Sequence, residues 1–228
     1  MRSNLYVLSF MAGITIVLGF LLSFAASSLK DKQDFNIEID IKKNILSSLN
    51  IPADQSQELS QNDIQKLYDK EITTLKIDSL GMKSDNGALN VYIATDGELP
   101  TGYSIPISGK GLWSTIYGYI ALEPDGITVK GITFYQHGET PGLGGELEKE
   151  WFTSNYKGKH IYNNEGKLVS IEIVKGQVNQ NDINAIHQVD GISGSTLTGR
   201  GMNKFIANDL NIYKPFLDRV KAGEDVIK

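Results

Sequence analysis

Residues 190–198, Asp190-Gly191-Ile192-Ser193-Gly194-Ser195-Thr196-Leu197-Thr198, gather groups suited to holding an anion. Gly191 and Gly194 admit backbone conformations closed to other residues, so amide groups can converge on one point. Ser193, Ser195 and Thr198 add hydroxyl donors. The pattern predicts a helix from about Thr196, whose first N–H groups and positive dipole end favour a phosphate. Arg200 and Lys204 follow near one helical face with Thr196, where they would offset a phosphodiester charge; a solvated helix face is the other reading of these two. Thr196 thus stands on a Gly/Ser-rich turn with the Asp190 carboxylate six residues before it. Turns of this composition also cap ordinary helices, and on these residues alone both readings stand.

A second candidate is the Gly-rich stretch His137-Gly138-Glu139-Thr140-Pro141-Gly142-Leu143-Gly144-Gly145, which follows a strand ending near Tyr135. It is neither a P-loop nor a dinucleotide fingerprint, having no Gly-Lys-Ser/Thr ending and no Gly-x-Gly-x-x-Gly. On so permissive a backbone, His137 and Glu139 can reach a polar heterocycle while Leu143 packs on its face; the stretch can equally do no more than turn the chain. The three histidines, His137, His160 and His187, lack metal-site spacing, so no metal site is expected. With no cysteine, the chain holds neither iron–sulfur clusters nor disulfides of its own. A net charge of −5 without a basic stripe argues against nucleic acid as a partner.

The elements that must position these residues begin with an uncharged run from Ser3 to Leu29, almost wholly apolar between Leu5 and Phe24. About 20 residues at ~1.5 Å each give roughly 30 Å, enough to cross a bilayer core. That length exceeds the apolar core of a cleavable signal peptide, so an uncleaved anchor is expected. Arg2 on one side and Lys30, Asp31 and Lys32 on the other leave its orientation open by charge. Residues 30–75 look helical and polar, with a capping box at Ser60-Gln61-Asn62-Asp63 opening a helix over 64–72. Strands are predicted over 90–94, 116–122, 127–135 and 168–174, with Pro124-Asp125-Gly126 turning the second into the third. Helices are predicted over 146–153 and 196–210, with a further turn or two over 213–220. The expected organisation is α+β: an N-terminal transmembrane helix (1–29), a juxtamembrane helical region (30–89), and a soluble domain of antiparallel strands and packed helices (90–228).

Both motifs, in this order behind one N-terminal anchor, resemble the FMN-binding subunits of two related bacterial redox pumps. One is the C subunit of the sodium-translocating NADH:quinone reductase; the other is the G subunit of the Rnf ferredoxin:NAD complex. The family's acceptor pattern reads roughly Asp-x-x-Ser-Gly-Ala-Thr, and Ser195 stands where that pattern has alanine. Gly109-Lys110-Gly111-Leu112-Trp113, then Gly118-Tyr119-Ile120-Ala121-Leu122, and the stretch from Glu146 to Trp151 are closer to the quinone-reductase subunit. The resemblance implies that a flavin transferase esterifies Thr196 to the phosphate of FMN, with Thr198 as the nearby competitor. Asp190, Gly191, Ser193, Gly194, Ser195 and Thr198 would surround the attachment. His137, Glu139, Thr140, Pro141, Gly142, Leu143 and Gly144, with Gly111, Leu112 and Trp113, would contribute to the flavin site, although Trp113 read alone is equally a core residue.

By the same resemblance the chain is an electron-carrying subunit with no complete active site and no catalytic residue of its own. It would relay electrons from NADH toward quinone while the complex exports sodium. Its partners would be the other membrane, flavin and iron–sulfur subunits, and its place the bacterial inner membrane, single-pass, with the soluble domain facing the periplasm. An Rnf-type subunit and a non-catalytic membrane-anchored binding or assembly module are the alternatives.

Overall fold

The computed structural model describes residues 4–52, 59–97 and 99–226. Helix α1 (Asn4–Ser48) opens the chain, which divides into two compact units, Met1–Asp40 and Ile41–Lys228. The apolar part of α1 is, among the described residues, the one helix long and apolar enough to cross a membrane. Its side chains, from Leu5 to Phe24, are exposed. Arg2, which entered the charge argument on orientation, lies outside the described residues. The helix does not end where the apolar run ends at residue 29. No glycine or proline occurs between Gly19 and Pro52, so nothing breaks the helical backbone there. The second unit therefore starts inside the helix, at Ile41.

In that second unit the capping box does open a helix, with the Ser60 side chain accepting from Asp63 N at 3.3 Å, but α2 (Gln61–Glu71) starts earlier than the helix expected over 64–72, directly after its N-cap, and stops before Ile72. Five strands then form one antiparallel sheet in sequence order: β1 (Ile72–Ile77), β2 (Leu89–Asp96), β3 (Leu99–Lys110), β4 (Thr115–Leu122) and β5 (Val129–Gln136). Beyond the sheet come a 3-10 turn (Gly144–Glu148), α3 (Glu150–Thr153), the short parallel pair β6 (Glu172–Ile173) and β7 (Gln188–Val189), and the long α4 (Thr196–Lys221). One sheet face carries Leu75, Ile77, Val91, Ile93, Tyr103, Ile105, Ile107, Ile116 and Ile120 into a core closed by Met202, Phe205, Leu210, Phe216 and Leu217 of α4. Tyr103 and Phe216 meet edge to face, with ring centroids 5.7 Å apart. The opposite face receives the end of α1: Ser48 and Ser104 share a hydrogen bond of 2.8 Å, Thr133 Oγ1 donates to Asn44 O, and Asn50 Nδ2 donates to Lys130 O.

The antiparallel sheet with packed helices is the expected α+β class. Several elements differ from their sequence reading. Region 30–89 is not uniformly helical, because its Ile72-Thr73-Thr74 run, β-branched throughout, enters the sheet as β1. The strand expected over 168–174 shrinks to β6, and the helix over 146–153 divides into a 3-10 turn and α3. Helix α4 runs unbroken through Pro215, where two pieces were expected.

Candidate functional site

Three loops far apart in sequence meet at one carboxylate. Glu139 lies on the loop after β5 and is buried. Its Oε1 accepts from Trp113 N at 2.9 Å and Ser114 N at 3.3 Å, both in the turn between β3 and β4. Its Oε2 accepts from Thr198 Oγ1, in the first turn of α4, at 2.7 Å. Desolvation pushes the Glu139 carboxyl up, but the donors on Thr198, Trp113, Ser114 and Leu112 outweigh it and hold the pKa below the ordinary value. The group is therefore an ionised carboxylate inside the protein. Glu139, expected to face a heterocycle, is instead turned inward, because a buried carboxylate must find donors and these loops supply them.

The rest of the Gly-rich loop is shaped around that inward turn. His137 Nδ1 accepts from Glu139 N at 3.2 Å, which leaves the ring proton on Nε2, 3.3 Å from Glu148 Oε2. The Thr140 carbonyl accepts from Leu143 N and Gly145 N, so Thr140, Pro141 and Gly142 form an exposed tip. Gly144 is buried against the Thr198 hydroxyl and the Glu139 carboxylate, where a Cβ would lie 2.8 Å from Thr198 Oγ1. Leu112, Trp113 and Leu143 are exposed, and with 68 % of its surface open Trp113 is not a core residue.

The Asp190–Thr196 motif forms one wall of a cleft of about 940 Å³. Asp190 Oδ1 accepts from Val178 N at 2.8 Å and Gly191 N donates to Gly176 O at 2.7 Å, tying the motif to residues 174–178 opposite. At Gly194 the backbone has φ +75°, and a Cβ there would sit 2.8 Å from Leu143 Cδ2, so this glycine joins the motif to the Gly-rich loop. Ser193 is exposed. Ser195 is the N-cap of α4, but its side chain makes no capping bond. Its Oγ is buried and has no hydrogen-bond partner among the described residues. Thr196, the first residue of α4, is exposed; Thr198, two residues on, is 1 % exposed and committed to Glu139.

Asp190, Gly191, Ser193, Gly194, Ser195, Thr196 and Arg200 share the cleft lining, whereas Gly111–Trp113, residues 137–145 and Lys204 are not part of it. Trp151, Lys175 and Asn203 also line the cleft, and nothing in the sequence singled them out as site residues. Asn203 accepts from Ile173 N and donates to Ile173 O, fastening β6 to α4 as the floor of the cleft. It lies seven residues after Thr196, two helical turns along the same face, which is the signal that would have found it.

A cleft with a mixed polar and apolar lining, at the N-terminus of a long helix and with the exposed Thr196 on its wall, is suited to a ligand that joins a flat apolar group to an anion. The family model described as FMN-binding domain matches residues 111–211, which run from the β3–β4 turn into α4. The crystal structure of the C subunit of the Na+-translocating NADH-quinone reductase from Parabacteroides distasonis superposes with a TM-score of 0.72 at 30 % identity, covering 83 % of this chain and 96 % of that one. That of Shewanella oneidensis NqrC gives 0.68 at 28 % identity, covering 80 % and 97 %. Among sequences, the corresponding reductase subunit of Vibrio alginolyticus is 32 % identical over 243 residues, with 93 % of each chain covered. That of Pseudomonas aeruginosa is 44 % identical over 137 residues; there the match spans about half of the relative, 52 % of its length and 59 % of this chain. The chain belongs to the family of the C subunit of Na+-translocating NADH-quinone reductase.

Proposed function

We propose that the chain carries FMN in phosphoester linkage to Thr196 and serves as a one-electron relay in a Na+-translocating NADH–quinone reductase. The observation that carries this reading is the contrast between the two threonines: Thr196 is exposed on the cleft, and Thr198 is sealed against Glu139. The residues present fit a phosphate. The first N–H groups of α4 have no carbonyl within the helix to bind, and the helix dipole is positive there. The buried, unpartnered Ser195 hydroxyl beside Thr196 is a donor awaiting an acceptor. Lys175 and Arg200 on the cleft wall offset negative charge. Bound there, FMN supplies the redox chemistry, and the protein sets its position and potential.

The chain's own residues divide the remaining work. Thr196 holds the tether, residues 174–178 and Asn203 shape the floor, and the exposed Leu112, Trp113 and Leu143 offer apolar surface for a ring system or for the neighbouring protein that docks over it. Helix α1 anchors the chain in the inner membrane, and the second unit lies on the periplasmic side, where a flavin transferase loads it. Electrons from NADH pass through the other flavin and iron–sulfur subunits to quinone as sodium is exported.

Intact mass after co-expression with a flavin transferase tests the tether. The wild-type chain and Thr198→Ser should gain one FMN less one water, and Thr196→Val should gain nothing. An unmodified wild-type chain, or a tether that survives in Thr196→Val, refutes the assignment.

A further inference from the structure

We infer that Glu139 is the positioning residue of the attachment site: through Thr198 it fixes the first turn of α4, so that the Thr196 hydroxyl is the one presented for transfer. The inference rests on the functional reading above. Helix starts are ordinarily set locally, by an N-cap side chain bonded to the N–H two or three residues on, often with the third helical residue reaching back. Neither bond sets this start. The Ser195 side chain does not cap, and its N–H donates to Ile192 O. Thr198, the third helical residue, turns away from the cap and donates to Glu139 Oε2 at 2.7 Å.

The turn is thus held by a tertiary bond instead of a local one, and Glu139 is itself held. Trp113 N and Ser114 N fix Oε1, so the carboxylate transmits the place of the β3–β4 turn to α4. Gly144 closes over the pair, and Gly201 presses α4 on the same turn, where a Cβ would meet Lys110 O at 2.4 Å. Two consequences follow for chemistry at Thr196. The competing Thr198 hydroxyl is engaged as a hydrogen-bond donor to a buried carboxylate and is inaccessible to a transferase. The Thr196 hydroxyl is oriented without making the acceptor bond itself.

Attachment forms a bond from Thr196 Oγ1 to the flavin-side phosphorus of a flavin dinucleotide donor. The P–O–P bond of the donor breaks, the nucleoside monophosphate leaves, and the hydroxyl proton passes to the transferase. Orientation of the attacking oxygen bears on the rate of that step, with displacements of about 1 Å costing up to ~100-fold.

The test uses the full unflavinylated chain in detergent, purified flavin transferase and FAD, with initial rates, thermal unfolding and mapping of the modified residue. Glu139→Gln and Thr198→Val should each lower kcat about tenfold or more while KM for the chain stays within about twofold. Thr198→Ser, which keeps the hydroxyl, should restore the rate. Because Glu139 acts through Thr198, the double variant Glu139→Gln/Thr198→Val should be no slower than the slower single one. Rates within twofold of wild type in both single variants overturn the inference. So do losses that multiply in the double variant, and losses accounted for by the unfolded fraction alone. If Glu139→Gln fails to fold, the contrast between Thr198→Val and Thr198→Ser decides: equal rates overturn it. A wild-type chain that takes no flavin at Thr196 overturns the functional reading as well, so the two failures are told apart.

Discussion

Ser195→Ala should stabilise the unflavinylated chain, opposite in sign to an ordinary N-cap replacement. Removing a capping serine usually costs about 1 kcal/mol. Here the side chain makes no capping bond, so that loss does not arise. What Ser195→Ala removes instead is a hydroxyl that is buried and unpartnered among the described residues. Relieving one such group is worth about 1–2 kcal/mol, which for a domain of this size raises Tm by roughly 2–8 °C. With the phosphoester formed, the hydroxyl gains a charged acceptor, and a hydrogen bond to a charged group is worth about 1.5–3 kcal/mol. The same substitution should then lower Tm in the flavinylated chain. Thermal unfolding of four samples, wild type and variant with and without flavin, gives the coupling directly. Equal shifts in both forms would refute the assignment of Ser195 as a phosphate donor. Destabilisation of the unflavinylated chain would show that the serine caps the helix after all.

Acid stability tests the buried carboxylate. Glu139 sits below its ordinary value in the fold, so its contribution is complete above the unfolded carboxyl pKa and is lost as pH falls through the lower folded value. Thr198→Val removes its strongest donor and brings the folded pKa back toward the unfolded one, so the Tm lost between neutral and acid pH should be smaller than in wild type; superimposable profiles of Tm against pH would contradict this. Asp190→Asn keeps an oxygen for Val178 N and removes only the charge, so it should fold like wild type yet take up little flavin if a transferase reads that carboxylate. Full labelling of Asp190→Asn would leave Asp190 a purely structural role. A C-terminal reporter that is active only outside the cytoplasm is expected from a single span with a periplasmic domain, and activity confined to the cytoplasm would reverse the orientation.

The elements legible in the sequence are those whose signals are local. Ser60 and Asp63 start α2 as their spacing requires. Asp125 accepts from Ile127 N and Thr128 N, making the turn between β4 and β5 where Pro124-Asp125-Gly126 announces it. Strand β3 escaped because Gly102, Pro106 and Gly109 read as breakers. The structure tolerates Pro106 because β2 pairs only as far as Ser104, so the position has no ladder bond to lose on that side. Strand β1 follows α2 with no intervening loop, the C-cap Ile72 being already extended, so no turn residue marks the change. The contrast between Ser60 and Ser195 has the same origin: both precede a helix in a Ser-containing turn, but only the first has its third-residue partner free to complete a local cap.

The site divides along the same line. Residues 190–196 and Thr196 as first residue of a helix are written consecutively, and the structure gathers them on one cleft wall. What separates Thr196 from Thr198 is not written there. Both are threonines beside a helix start, and the distinction comes from Glu139, 59 residues from Thr198 and 26 from Trp113 along the chain. A glutamate on a Gly-rich loop reads as a surface group available to a ligand, since ionised side chains are rarely buried unless paired. Its inward turn becomes intelligible only when the β3–β4 turn and the first turn of α4 are seen to bring backbone and hydroxyl donors to it. In the arrangement we propose, the same carboxylate acts one step removed from the cofactor, by holding the first turn of the helix that carries the threonine. A change at Glu139 should accordingly be felt first in how readily the tether forms, and only afterwards in the properties of whatever the tether holds.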